Sequence, residues 1–132
     1  MTYLLDTHTL IWAVTDPEKL SETAATIIRD ADSEIVVSAV TFWEISLKHS
    51  IGKLILDGYV PTDFVDAARD ADFQLLDLNS LTAVSYHQLS VTYHRDPFDR
   101  MLIWQAIQNR YCLISKDQTV TKYRTEGLSV IW

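Results

Sequence analysis

Met1–Trp12 reads MTYLLDTHTLIW, and its reading decides the fold. An apolar run, Tyr3–Leu5, stops at an acid, Asp6. Three hydrogen-bonding side chains follow, Thr7, His8 and Thr9, and then Leu10 opens a second apolar run. The first run is too short for a helix and reads as a buried strand; the second, Leu10–Val14, starts a helix. A carboxylate therefore stands at the end of a strand, in the turn that feeds a helix.

The same alternation runs outward through the chain. Glu34–Ser38, rich in β-branched residues, and Phe73–Leu78, Tyr111–Ser115 and Leu128–Ile131 read as further strands. Helices are expected between them. Ser21 caps one that runs through Ala31, although the position where a capping box needs an acid or glutamine is Ala24. Val40–Ser50 is helical and stops near Gly52, Pro61-Thr62-Asp63 starts a helix to about Ala71, and Ser80–Leu89 is helical. Asp96-Pro97 opens a strong helix to about Arg110, because aspartate caps well and proline suits the first turn. Gln118–Thr125 is a last helix, ended by Gly127. Strands alternating with helices imply right-handed crossovers. The fold class is α/β: three layers, α/β/α, with a mainly parallel central sheet of about five strands. Such folds place sites beyond the carboxyl ends of the strands, where strand order reverses.

A chain of 132 residues makes one domain, residues 1–132, and buries enough surface to fold without a disulfide. The single cysteine, Cys112, lies in an apolar run and reads as a small buried hydrophobe. No apolar segment is long enough to span a membrane, and no basic leader precedes an apolar stretch, so the expected location is the cytoplasm. Eighteen acidic residues against eleven basic ones leave a net charge of −7. That field argues against a broad nucleic-acid-binding surface. An anionic substrate needs local neutralisation, by a few basic side chains or by bound cations.

Four acids stand out. Asp6 follows the first strand and Asp117 the fourth, and both have a plain reading as helix N-caps. Glu44 shares a helical face with Val40, Leu47 and Ile51. An unpartnered polar group in such a stripe costs about 2–7 kcal/mol. A buried ion pair and a metal both answer that cost. Asp99 shares a face with Leu102, Ile103 and Ala106, so it points inward; Asp96 competes with it, and we assign Asp99 as ligand and Asp96 as cap. The carboxylates at 6, 44, 99 and 117 gather at one sheet edge in this reading. They would not all ionise without cations. Oxygen ligands with no accompanying Cys or His pattern suit Mg²⁺ or Mn²⁺, and one or two such ions activate water for phosphodiester hydrolysis.

The stretches LLDTHTLIW (4–12), SAVTFWEIS (38–46), HRDPFDRMLIWQA (94–106) and LISKDQTVTKYRTEGLSVIW (113–132), in this order, resemble the PIN-domain ribonucleases, specifically the VapC-like toxins of bacterial toxin–antitoxin pairs. The resemblance covers the whole chain. It implies a PIN-like fold, a Mg²⁺- or Mn²⁺-dependent endoribonuclease, an acidic quartet at Asp6, Glu44, Asp99 and Asp117, a cognate antitoxin that blocks the site, and a homodimer. Many members carry a further acid just after the fourth; this chain has Gln118 and Thr119 there.

Around the quartet, Thr7 and Ser38, with Asp96, are candidates to orient water or the ligand carboxylates. Turn and cap roles compete with this for Thr7 and Ser38. Arg95, Arg100 and Lys116 are candidate RNA contacts, and Arg100 also fits an ion pair with Asp96. His94 joins Arg95 as a candidate, with a solvated loop as the plain reading of both, and Lys48 and Lys53 are weak phosphate contacts of the same kind as Lys116. His8 is a general acid or a local packing residue. Residues 51–60, apolar for a connection, are a candidate surface for the dimer or the antitoxin. The competing functions are a Mg²⁺-dependent phosphatase or phosphoacceptor domain and a catalytically inactive interaction domain. The first is disfavoured by His8, which stands where haloacid-type phosphatases want a second aspartate, and the second by four intact acids.

Overall fold

The computed structural model describes residues 1–132. Five strands, β1 (Thr2–Leu5), β2 (Glu34–Ser38), β3 (Gln74–Leu76), β4 (Cys112–Ile114) and β5 (Ser129–Ile131), form one sheet in the order β3-β2-β1-β4-β5. Every pairing is parallel, so the expected mainly parallel sheet is wholly so. The chain moves outward from β1 through β2 to β3, crosses to the other side of β1, and finishes with β4 and β5. Strand order therefore reverses between β1 and β4, and the crevice beyond their carboxyl ends is where a site belongs.

The short apolar strands are explained by burial on both faces. Leu4, Val36 and Leu113 point into one core with Leu102, Ile103 and Tyr123. Their neighbours Leu5, Ile35, Val37 and Ile114 point into the other with Leu10, Ile45 and Phe64. Side chains alternate across a strand, so a run such as Leu4-Leu5 serves both layers. Both are completely buried, each worth about 1.5–3 kcal/mol.

The helices are α1 (Thr7–Thr15), α2 (Glu22–Arg29), α3 (Ala39–Ser50), α4 (Pro61–Asp70), α5 (Ser80–Ser85), α6 (Pro97–Asn109) and α7 (Gln118–Thr121). α1 starts three residues before the expected Leu10, because Asp6 caps it directly. Ser21 caps α2 by accepting from Ala24 N at 3.0 Å, without an acid at Ala24. α5 and α7 are shorter than expected; each tightens into a 3-10 turn, Tyr86–Gln88 and Lys122–Glu126. α6 ends at Arg110, whose φ of 57° is left-handed. No helix is long and apolar enough to cross a membrane.

Candidate metal centre

Asp6 is held by its backbone and by one carboxylate oxygen. Its N–H donates to Ile114 O at 3.2 Å, which extends the β1–β4 ladder one step past the strand. Its Oδ1 accepts from Thr9 N at 2.9 Å as the cap of α1. Cap and ligand, which the sequence sets against each other, are compatible, since capping occupies one oxygen and leaves the other. The group is buried, and burial pushes its carboxyl up, opposed by hydrogen bonds from Ser115 and Thr9.

Asp117 repeats the device after β4. Its Oδ1 accepts from Thr119 N at 2.8 Å, and its N–H donates to Ser115 Oγ at 3.2 Å. Ser115, buried between the two acids, is a residue that sequence reasoning missed. The signal was a small polar side chain at the end of an apolar strand. Asp6 and Asp117 line one cavity of about 300 Å³ with His8, Trp12 and Lys116.

Glu44 is 2% exposed on the inner face of α3. Its Oε1 accepts from Thr7 Oγ1 at 2.5 Å, and its Oε2 pairs with Lys48 one turn on. The ion-pair reading of this acid is thus present, and its other oxygen reaches Thr7, the residue after Asp6.

Asp99, on the first turn of α6, has a carboxylate with no hydrogen bond of its own. His94 Nε2 lies 3.6 Å from its Oδ2. Its carboxyl is pushed up to about 7, first by burial, then by the charges of Asp96, Glu44, Asp6 and Asp117. Like charges nearby disfavour the ionised form, as burial does. Asp96 caps α6 instead, its Oδ1 accepting from both Phe98 N (2.9 Å) and Asp99 N (3.2 Å).

Two expectations are corrected. Arg100 is not an RNA contact and does not pair with Asp96. Its guanidinium is buried and donates to Tyr86 Oη (2.7 Å), Tyr123 Oη (2.8 Å), Val91 O (2.9 Å) and Leu89 O (2.6 Å). It faces inward because four acceptors of the 86–91 segment and Tyr123 need its donors. Ser38 does not support a carboxylate: its hydroxyl donates to Gln105 Oε1 at 2.5 Å and accepts from Val40 N as the cap of α3. Of the remaining candidates, Arg95 is exposed, and Lys116 is exposed with its Nζ 5.6 Å over the Trp12 ring. His8 is exposed and tilted against Trp12 at 5.7 Å.

His94 is brought to the site, against the expectation of a centre without histidine. His94, Asp99 and Asp117 each offer a ligand atom, all within 4.8 Å of one another. His94 Nε2 is buried and unpartnered. A set of mostly carboxylate oxygens fits a hard divalent cation.

Comparisons with known proteins bear on the family and the fold. Ribonuclease VapC22 of Mycobacterium tuberculosis is 25% identical over 131 residues, 99% of this chain and 98% of the relative. Among solved structures, VapBC2 from Rickettsia felis, bound to a DNA fragment from its promoter, superposes with a TM-score of 0.69 at 14% identity, covering 100% of this chain and 99% of that one. FitAcB from Neisseria gonorrhoeae superposes with a TM-score of 0.64 at 18% identity, covering 98% and 96%. The sequence model of the PIN domain matches residues 3–125, and the chain, with its parallel sheet and its acids at the carboxyl edge, belongs to the PIN domain family.

Proposed function

We propose that the chain is a metal-dependent endoribonuclease, the toxin of a toxin–antitoxin pair. The observation that carries this reading is Asp99: a carboxyl raised to about 7 by burial first and then by the charges of four other acids, near the strand-order reversal. The relative named as a ribonuclease along nearly its whole length supports RNA as substrate. Asp6, Glu44, Asp99 and Asp117 would hold Mg²⁺ or Mn²⁺, with Asp99 preferred to Asp96, whose Oδ1 serves two backbone donors. A cation held there makes bound water acidic enough to attack a phosphodiester and offsets charge on the leaving oxygen.

The chain's own groups do the rest. Thr7 orients Glu44, and Ser115 ties the Asp6 and Asp117 turns together. Lys48 neutralises Glu44 and must leave it before that carboxylate serves a cation. Lys116 and Arg95, both exposed, are the cations we assign to substrate phosphates. An RNA-cutting enzyme works where RNA is, which in this reading is the cytoplasm.

A cognate antitoxin is the partner we expect, since the solved neighbours include VapBC assemblies. For a homodimer or the antitoxin we assign the exposed apolar side chains Ile51, Ile55, Tyr59 and Val60. The test is cleavage of total RNA by the purified chain, freed of antitoxin, in Mg²⁺ or Mn²⁺. Cleavage should vanish in EDTA and in Asp6→Ala or Asp99→Ala. A chain that cuts no RNA under these conditions sinks the proposal.

A further inference from the structure

One buried phenol, that of Tyr123, has three polar contacts at its oxygen. Tyr123 is completely buried. Its Oη lies 2.8 Å from Arg100 Nη1, 3.2 Å from Tyr93 N and 3.1 Å from His94 Nδ1. Guanidinium and backbone amide are donors only. Arg100 and Tyr93 therefore use both lone pairs of the phenol oxygen, and its one proton is left for His94. Nδ1 of His94 must accept that proton's hydrogen bond and so carries none itself. A neutral imidazole has a single N–H, and here it falls on Nε2. Nε2 has no other partner and lies 3.6 Å from Asp99 Oδ2.

We infer that His94 is a positioning residue of the acidic centre: the buried Arg100–Tyr123 pair fixes its ring as the Nε2–H tautomer, aimed at the Asp99 carboxylate. This rests on the metal-centre reading above and refines it. His94 is close enough to Asp99 and Asp117 to be taken for a nitrogen ligand, but the nitrogen it presents already holds a proton. Its part is to donate to Asp99 Oδ2 and orient that carboxylate, the one acid of the quartet with no hydrogen bond of its own. The arrangement also gives the buried Arg100 a purpose beyond packing, since its guanidinium, hydrogen-bonded to two carbonyls and two phenols, holds the phenol in place.

Nitrogen-15 NMR of the histidine rings tests the tautomer on the metal-free wild-type chain. The expected pattern for His94 is an unprotonated Nδ1 and a protonated Nε2; a dominant Nδ1–H form overturns the inference. In Tyr123→Phe the single tautomer should give way to a mixture, and an unchanged ring would show that the phenol does not set it. Mn²⁺ titration followed by electron paramagnetic resonance tests the role. His94→Ala should weaken Mn²⁺ binding about 10-fold, the low end for groups that orient metal ligands. His94→Gln, which keeps an N–H at similar reach, should recover most of the loss. The bound Mn²⁺ should show no coupling to an imidazole nitrogen. Wild-type affinity in His94→Ala, or a directly coordinated ring nitrogen, overturns the positioning role alone. A wild-type chain that binds no Mn²⁺ overturns the metal centre and with it the role, while the tautomer is still read from the metal-free spectrum.

Discussion

At the scale of single residues, Asp99 sets the pH behaviour of the metal-free protein. Its folded-state carboxyl is raised from 3.8 to about 7. The folded chain therefore keeps a proton that the unfolded chain sheds. The favourable contribution is complete below about pH 4 and is lost as pH rises through 7. A shift of that size corresponds to about 4 kcal/mol at most. Asp99→Asn removes the charge conflict, so in EDTA at pH 8 it should be more stable than wild type by about 1–3 kcal/mol, melting several degrees higher. Near pH 4 the two should converge. Thermal melts at both pH values check this, and a variant no more stable than wild type at pH 8 contradicts it. The reverse is expected of Arg100→Lys. A lysine cannot serve two carbonyls and two phenols with one ammonium, so the loss should be about 3 kcal/mol, read by urea unfolding. Sequence reasoning found Asp99 from its apolar face-mates. It placed Arg100 at the surface because an arginine at i+4 from an aspartate usually pairs with it there, and its true partners lie 9 to 23 residues away.

At the scale of elements, the site is built from helix starts. Asp6, Asp96 and Asp117 cap α1, α6 and α7, each through Oδ1. The cap residue has an extended backbone and precedes the helix. Glu44 instead stands within α3, one turn ahead of Lys48. Lys48→Met should strip a buried carboxylate of its cation and lower metal-free stability by about 1–2 kcal/mol, the partial exposure of Lys48 holding the loss below that of a sealed pair. The same variant should gain more stability from saturating Mn²⁺ than wild type does, because the ion replaces the missing charge. Differential scanning fluorimetry with and without Mn²⁺ measures both, and an equal gain in the two proteins would show that Lys48 does not stand in for a cation. The elements themselves were legible from periodicity and caps. Their lengths were less so. α5 and α7 stop early in 3-10 turns, and at the end of α5 the Trp104 indole of α6 donates to Thr82 O and Ser85 Oγ.

At the scale of the whole molecule, the strand order decides what the acids can do together. The reversal between β1 and β4 places Asp6 and Asp117 side by side, joined through Ile114 O and Ser115. The apolar connection from Ile51 to Val60 lies on the surface, with Ile55 81% exposed. If it seats a second copy, Ile55→Glu should turn a dimer into a monomer in light scattering while leaving the melting temperature nearly unchanged. A wild-type chain that is already monomeric at tens of micromolar counts against the dimer.

What the sequence by itself determined was the layered α/β plan, and it singled out four acids as candidates. Apolar runs of strand length between capped helices have few other ways to bury themselves, and a carboxylate on an apolar stripe needs a partner wherever it sits. What only the tertiary structure decided was partnership. Ser38 went to Gln105, Arg100 to Tyr86 and Tyr123, and His94 from a presumed loop to the edge of the acidic site. Hydrogen-bonding side chains are matched by distance in space and by the count of lone pairs and protons, and neither quantity is written along the chain.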